Sequence, residues 1–194
     1  MSADKLNLLD DEARVGAIVL ATQLGIACHL NLNCLPQSLH SSEASIRSTL
    51  AAATENHLPI ERIILEVTEG EVILDQARFA DFINQYRGLG LKVAIDDFGA
   101  GYSGLNLLAN FQPDQIKLDM TLVRGIESHG PRQAIVRALG QVCHELGIDV
   151  IAEGVETLEE YKWLANAGMR LFQGYLLAKP AFEAFPPVRY PLGH

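Results

Sequence analysis

Short apolar segments and helical patterns alternate along this chain at least six times, and no link between successive apolar segments is short enough for a hairpin. Antiparallel strands can be joined by two residues, whereas parallel strands need a crossover of a dozen or more, usually a helix. The alternation therefore predicts an α/β protein with parallel strands. The strands read as His29–Cys34, Arg62–Glu69, Lys92–Ile95, Gln115–Asp119, Asp149–Glu153 and Arg170–Gln173. The helices read as 8–24, Ser42–His57, 75–88, 104–110, 131–146 and the stretch after Thr157.

Spacing predicts which helix faces turn inward. These are Leu8, Leu9, Val15, Ile18, Val19 and Leu24; then Ile46, Leu50 and Ala53; then Phe79, Phe82, Ile83 and Tyr86; and finally Ile135, Leu139, Val142 and Leu146. Pro131 starts one helix and Gly147 ends it, while Thr157 and Glu160 have capping-box spacing for the last, which Gly168 closes. The tail, Pro180–His194, holds four prolines and is expected to be irregular beyond a domain covering 1–180. Six strand–helix units suit an open doubly wound sheet or most of an eight-stranded barrel. The phosphate-binding glycine fingerprints of doubly wound folds are absent, which favours the barrel. Such barrels run to about 250 residues, so a chain of 194 reads as short by one or two strands.

Charge narrows the partners. The net charge is −9 and Lys and Arg form no run, so polymeric nucleic acid and anionic membrane surfaces are excluded as partners. A phosphate-bearing ligand would approach such a protein through metal cations. Val15–Ala27 is too short and too interrupted for a membrane span, and Asp10, Asp11 and Glu12 before it do not suit a signal peptide. Cys28, Cys34 and Cys143 lack CxxC spacing and read as reduced thiols of a cytoplasmic protein.

Chemistry concentrates where strands end. In LKVAIDDFGAGYSG (91–104), an apolar run meets Asp96 and Asp97 and then a glycine loop. A surface turn would use the same residue types. Yet Asn33, Glu66, Lys117, Asp119 and Glu153 hold equivalent places, at the strand ends that carry the active site in barrels. Hard oxygen donors without His or Cys suit Mg²⁺, Mn²⁺ or Ca²⁺ rather than zinc, and adjacent Asp96 and Asp97 can bridge or divide between two ions. Lys117 reads either as a simple ion pair or as the group that holds a nucleophilic water. Asn31 shares a strand face with Asn33, and a register shift would exchange them.

Six segments, NCLPQSL (33–39), LEVTEG (65–70), IDDFGAGYSGL (95–105), IKLD (116–119), IAEGVET (151–157) and FQGYLLAKP (172–180), resemble in order the EAL-domain family of cyclic di-GMP phosphodiesterases. Their wording is most similar to EAL domains attached to blue-light BLUF sensors. The resemblance implies a modified TIM-type (β/α)8 barrel whose first strand runs antiparallel. It makes Asn33, Glu66 and Asp96 metal ligands and Asp97 the second-metal or bridging carboxylate. Lys117 and Glu153 become the groups that handle the attacking water. Glu156 and Gln173 then line the site with Asp119, while Glu69 anchors the glycine loop with Ser103 as its partner. It further implies Mg²⁺ or Mn²⁺ as cofactor with Ca²⁺ inhibitory, a homodimer through the glycine loop and adjacent helices, and an upstream sensor domain.

One departure stands out. The Glu-Ala-Leu signature of the first strand has no match, since Glu12-Ala13-Arg14 lies in a helical stretch and Glu183-Ala184-Phe185 lies at the wrong end. The chain is expected to begin after that strand. Two functions remain: hydrolysis of cyclic di-GMP to linear pGpG, or an inactive module, or fragment of a sensor protein, that binds cyclic di-GMP or a protein partner.

Overall fold

A computed structural model describes residues 3–35, 42–70, 76–101 and 104–191. The chain packs as two compact units, Met1–Ala94 and Ile95–His194.

The first unit runs α1 (Ala3–Gln23), β1 (Leu30–Asn33), α2 (Ser42–Glu55), β2 (Ile63–Thr68), α3 (Gln76–Gly88) and the start of β3 (Lys92–Phe98). β1 and β2 pair in parallel, with Asn31 opposite Ile64 and Asn33 opposite Glu66. Ile63 to Val67 are all buried, the unbroken pattern of a strand covered on both faces.

α1 corrects the expected inward face. Arg14, Ile18 and Ala21 are buried, whereas Leu8, Leu9 and Leu24 are 61%, 57% and 40% exposed. Burying Arg14 is feasible because Asp10 and Asp11, one turn earlier, pair with its guanidinium. Asp10 also accepts a bond from the Leu35 amide just beyond β1 (3.4 Å), so helix and strand meet on the polar side of α1. In α2, Ile46 and Ala53 are buried together with Thr49; in α3, Ile83 and Tyr86 are buried. The side chains of Phe79 and Phe82 lie outside the described residues.

The second unit takes up β3 and continues through α4 (Gly104–Asn110), β4 (Gln115–Leu118), the one-turn α5 (Met120–Val123), α6 (Gly130–Leu146), β5 (Asp149–Ala152), α7 (Leu158–Asn166) and β6 (Leu171–Phe172). β4 and β5 pair in parallel, Lys117 opposite Ile151, and β5 pairs with β6 in parallel, Ile151 opposite Leu171. Amides just past each strand continue the ladders: Asp119 donates to Phe98 O (3.1 Å), Glu153 to Leu118 O (3.3 Å) and Gln173 to Ala152 O (2.9 Å).

β3 does not stop at Ile95 as expected but carries Asp96 and Asp97 within the strand to Phe98, whose ring is 1% exposed and anchors its end. In α6, Pro131 sits in the first turn, and Gly147, at φ +72°, closes the helix by donating to the Cys143 and His144 carbonyls. The buried stripe is Val136, Leu139 and Cys143, and burial pushes the Cys143 thiol up to about 11. The expected partners Ile135, Val142 and Leu146 face solvent. Past β6, the tail is turn and coil, with an Ala181–Ala184 antiparallel bridge and an Arg189 amide bonded to Leu177 O (2.8 Å).

Candidate active site

The second unit gathers its chemistry at the carboxyl ends of β3, β4 and β5. Single oxygens of Asp96, Asp97 and Glu153 lie within 4.8 Å of one another. Between them stands the buried ammonium of Lys117, 3.0 Å from Asp96 Oδ1 and 2.8 Å from Glu153 Oε1. The reach follows from strand geometry: side chains alternate, so Lys117 and the position two past Ile151 project to one face of the β4–β5 pair. Each like-charged pair of carboxylates at that spacing costs about 3 kcal/mol at an effective dielectric of about 20.

Backbone geometry marks the same spot. Asp97 is one of the few non-glycine residues with positive φ, +53°, and its amide bonds the Asp96 carboxylate at 3.0 Å. Left-handed backbone on a residue with a Cβ persists where surroundings enforce it, often at functional positions. Gly99 follows at φ +94°, where a Cβ would fall 2.5 Å from Leu122 Cδ1.

The remaining expected groups described in this unit are Asp119, Glu156 and Gln173. Asp119 caps α5, accepting from the Thr121 amide at 2.8 Å and from its hydroxyl. Glu156 is exposed and accepts from Arg124 Nη2 at 2.9 Å. Arg124, Glu156 and Gln173 line a cavity of about 510 Å³ with Met120, Tyr175 and Lys179. In the first unit, Glu66 is 6% exposed and accepts from Asn31 Nδ2 at 2.6 Å, while Asn33 is exposed at the end of β1. Glu69 is buried just past β2, and Ser103 lies outside the described residues.

Some participants gave little sign in the sequence. Arg124 sits in no motif. Glu160, visible there only as half of a capping box, is 2% exposed and takes three backbone N–H bonds, from Gly125, Glu156 and Thr157. Burial pushes its carboxyl up, but those bonds together outweigh it and hold the group below the usual carboxylate range.

A parallel α/β frame thus places a cluster of carboxylates around a buried lysine at its strand ends. The family profile described as EAL domain matches residues 6–180, and the chain belongs to that family. It is 42% identical over 162 residues to the blue light- and temperature-regulated antirepressor BluF of Escherichia coli, covering 84% of this chain and 40% of BluF. It is 37% identical over 161 residues to the cyclic di-GMP phosphodiesterase RocR of Pseudomonas aeruginosa, covering 83% of this chain and 41% of RocR. The chain thus spans about two-fifths of the length of these relatives. Klebsiella pneumoniae BlrP1, solved as a calcium/cyclic di-GMP complex, superposes with a TM-score of 0.92 at 42% identity, over 97% of this chain and 48% of BlrP1. The same protein has been solved with manganese and cyclic di-GMP. The α/β fold of TIM-barrel type expected from the sequence is therefore the fold of this chain.

Proposed function

We propose that the chain is a metal-dependent phosphodiesterase domain that opens cyclic di-GMP to linear pGpG. The observation that carries this reading is Lys117, buried and bonded to both Asp96 and Glu153 in a cluster whose donors are all oxygen. The cluster fits a hard divalent cation by donor type. Asp96, Asp97 and Glu153 would hold Mg²⁺ or Mn²⁺; Asn33 and Glu66 enter the ligand set on the family motifs alone. Such ions supply an acidified water and screen the phosphate charge. Glu153 receives the proton of the attacking water, and Lys117 orients that water and meets the charge developing on phosphorus. Water oxygen bonds to phosphorus, the P–O3′ bond breaks and the 3′ oxygen leaves, taking a proton from solvent. Glu156, Gln173 and Asp119 border the substrate, and Glu69 with Ser103 steadies the glycine loop. We place the domain in the cytoplasm, as a homodimer under the control of a sensor domain.

The reading is tested by incubating the purified chain with cyclic di-GMP and separating the products. Linear dinucleotide should form with Mg²⁺ or Mn²⁺, disappear with EDTA and be suppressed by Ca²⁺. No product at any Mg²⁺ or Mn²⁺ concentration would refute it. A second reading, a module that signals by contact, is favoured by one observation, the antirepressor relative at 42% identity. Calorimetry showing cyclic di-GMP binding without turnover would select it.

A further inference from the structure

We infer that Glu160 is a positioning residue that ties the loop after β4 to the loop after β5 and thereby sets Arg124, Glu153 and Glu156. The inference rests on the reading of Glu153 and Glu156 as active-site groups. A capping box requires that the carboxylate reach only the amide of its own N-cap. Glu160 does this with the Thr157 amide (3.0 Å), and its own amide donates to Thr157 Oγ1 in return (3.2 Å). Two further bonds have nothing to do with capping. Oε2 also accepts from the Glu156 amide at 2.9 Å, and Oε1 accepts from the amide of Gly125, thirty-five residues away, at 2.9 Å.

Both outer bonds land beside functional side chains. Gly125 follows Arg124, the other amide is that of Glu156 itself, and Arg124 and Glu156 pair with each other at the rim of the cavity. The carboxylate thus holds the two backbones whose side chains pair with each other. The same loops touch again at Gly154, where a Cβ would fall 2.7 Å from Met120 Cβ. Gly154 follows Glu153, so the contact and the carboxylate bracket the segment that carries the proposed proton acceptor. Three N–H donors on one group nearly sealed from water call for an ionised carboxylate. An amide there would turn an NH₂ toward at least one of those donors.

Thr157→Ala separates this role from helix capping. It removes the hydroxyl, which accepts from the Glu160 amide and also bonds the carboxylate, while leaving the three backbone donors. Hydrogen exchange, Mn²⁺ titration and, where product forms, steady-state kinetics are measured on the unsubstituted chain, Thr157→Ala, Glu160→Ala and Glu160→Gln. Thr157→Ala is expected to speed exchange only in the first turn of α7. Both Glu160 variants are expected to speed it about tenfold or more in 119–125 and 153–157 while β4 and β5 stay protected. They are also expected to weaken Mn²⁺ binding about tenfold and to lower kcat more than they raise KM. Unchanged exchange in 119–125, or a Thr157→Ala variant that reproduces every effect of Glu160→Ala, would overturn the inference. If the unsubstituted chain neither binds Mn²⁺ nor cleaves cyclic di-GMP, the phosphodiesterase reading fails by itself, and exchange in 119–125 still decides the role of Glu160.

Discussion

Lys117 has lost nearly all contact with water, and its ammonium is held by two carboxylates that are themselves 17% and 14% exposed. Removing one member of such a set leaves the others uncompensated, which costs about 3 kcal/mol. Lys117→Met is therefore expected to lower the urea midpoint in EDTA, and Mg²⁺ to restore much of the loss by taking over the neutralisation. Hydrolysis should stay down by about a hundredfold or more even then, because a metal ion cannot replace the positioned donor. Urea titrations with and without Mg²⁺, beside the product assay, separate the two effects. Glu160 makes a pH prediction. Its carboxyl is held below the unfolded value of about 4.3. The resulting stabilisation is full above that value and is lost as pH falls through the folded one. The stability gap between the unsubstituted chain and Glu160→Gln should thus be widest near neutrality and close in acid, as urea midpoints at neutral and acid pH will show. Lys117 and its acids were legible because polar residues ending apolar strands are conspicuous. The bond from Glu160 to Gly125 was not, since a backbone amide accepts any residue type and leaves no mark on the sequence.

Glycines order the elements more sharply than the apolar patterns do. Gly147 and Gly154 are both left-handed, at φ +72° and +65°, but nothing lies within 4 Å of a Cβ built at Gly147, whereas Met120 Cβ lies 2.7 Å from one built at Gly154. Alanine at Gly147 should cost about 1 kcal/mol of backbone strain. At Gly154 the same strain is joined by displacement of Met120, so Gly154→Ala should be the more destabilised of the two in thermal melts and should also lose Mn²⁺ affinity. Gly147→Ala should keep its metal affinity. Element positions were readable because caps such as Thr157, Pro131 and Gly147 are local chemistry. Element rotation was less so. α6 bears two apolar stripes, Val136–Leu139–Cys143 and Ile135–Val142–Leu146, offset by about one residue's turn. Periodicity alone cannot rank two such faces, and the packed neighbours chose the one with Cys143. In α1, the unexpected inward residue was Arg14, whose pairing with Asp10 and Asp11 removes the usual objection to burying a charge.

The rejected stripe of α6 matters for the molecule as a whole. Ile135, Val142 and Leu146 are 49%, 37% and 41% exposed, and spacings of seven and four align them along one side of a helix of 17 residues. Isolated exposed apolar residues need no explanation, whereas an aligned row offers a second copy an apolar contact. The homodimer expected through the glycine loop would cover it only if the contact also took in α6. Each copy carries a net charge of −9, so long-range repulsion opposes pairing while apolar contact favours it. Repulsion between exposed charges is screened as ionic strength rises, and burial of apolar surface is not. Sedimentation should consequently show a dimer that strengthens with added NaCl. Val142→Asp, at a position that contributes nothing to the buried stripe of α6, should leave the melting temperature within about 2 °C while shifting the protein to monomer by placing a charge in the contact. Dimers of equal stability in Val142→Asp and the unsubstituted chain would move the interface elsewhere. A dimer that weakened with salt would mean that ion pairs, not this row of aliphatic side chains, hold the copies together.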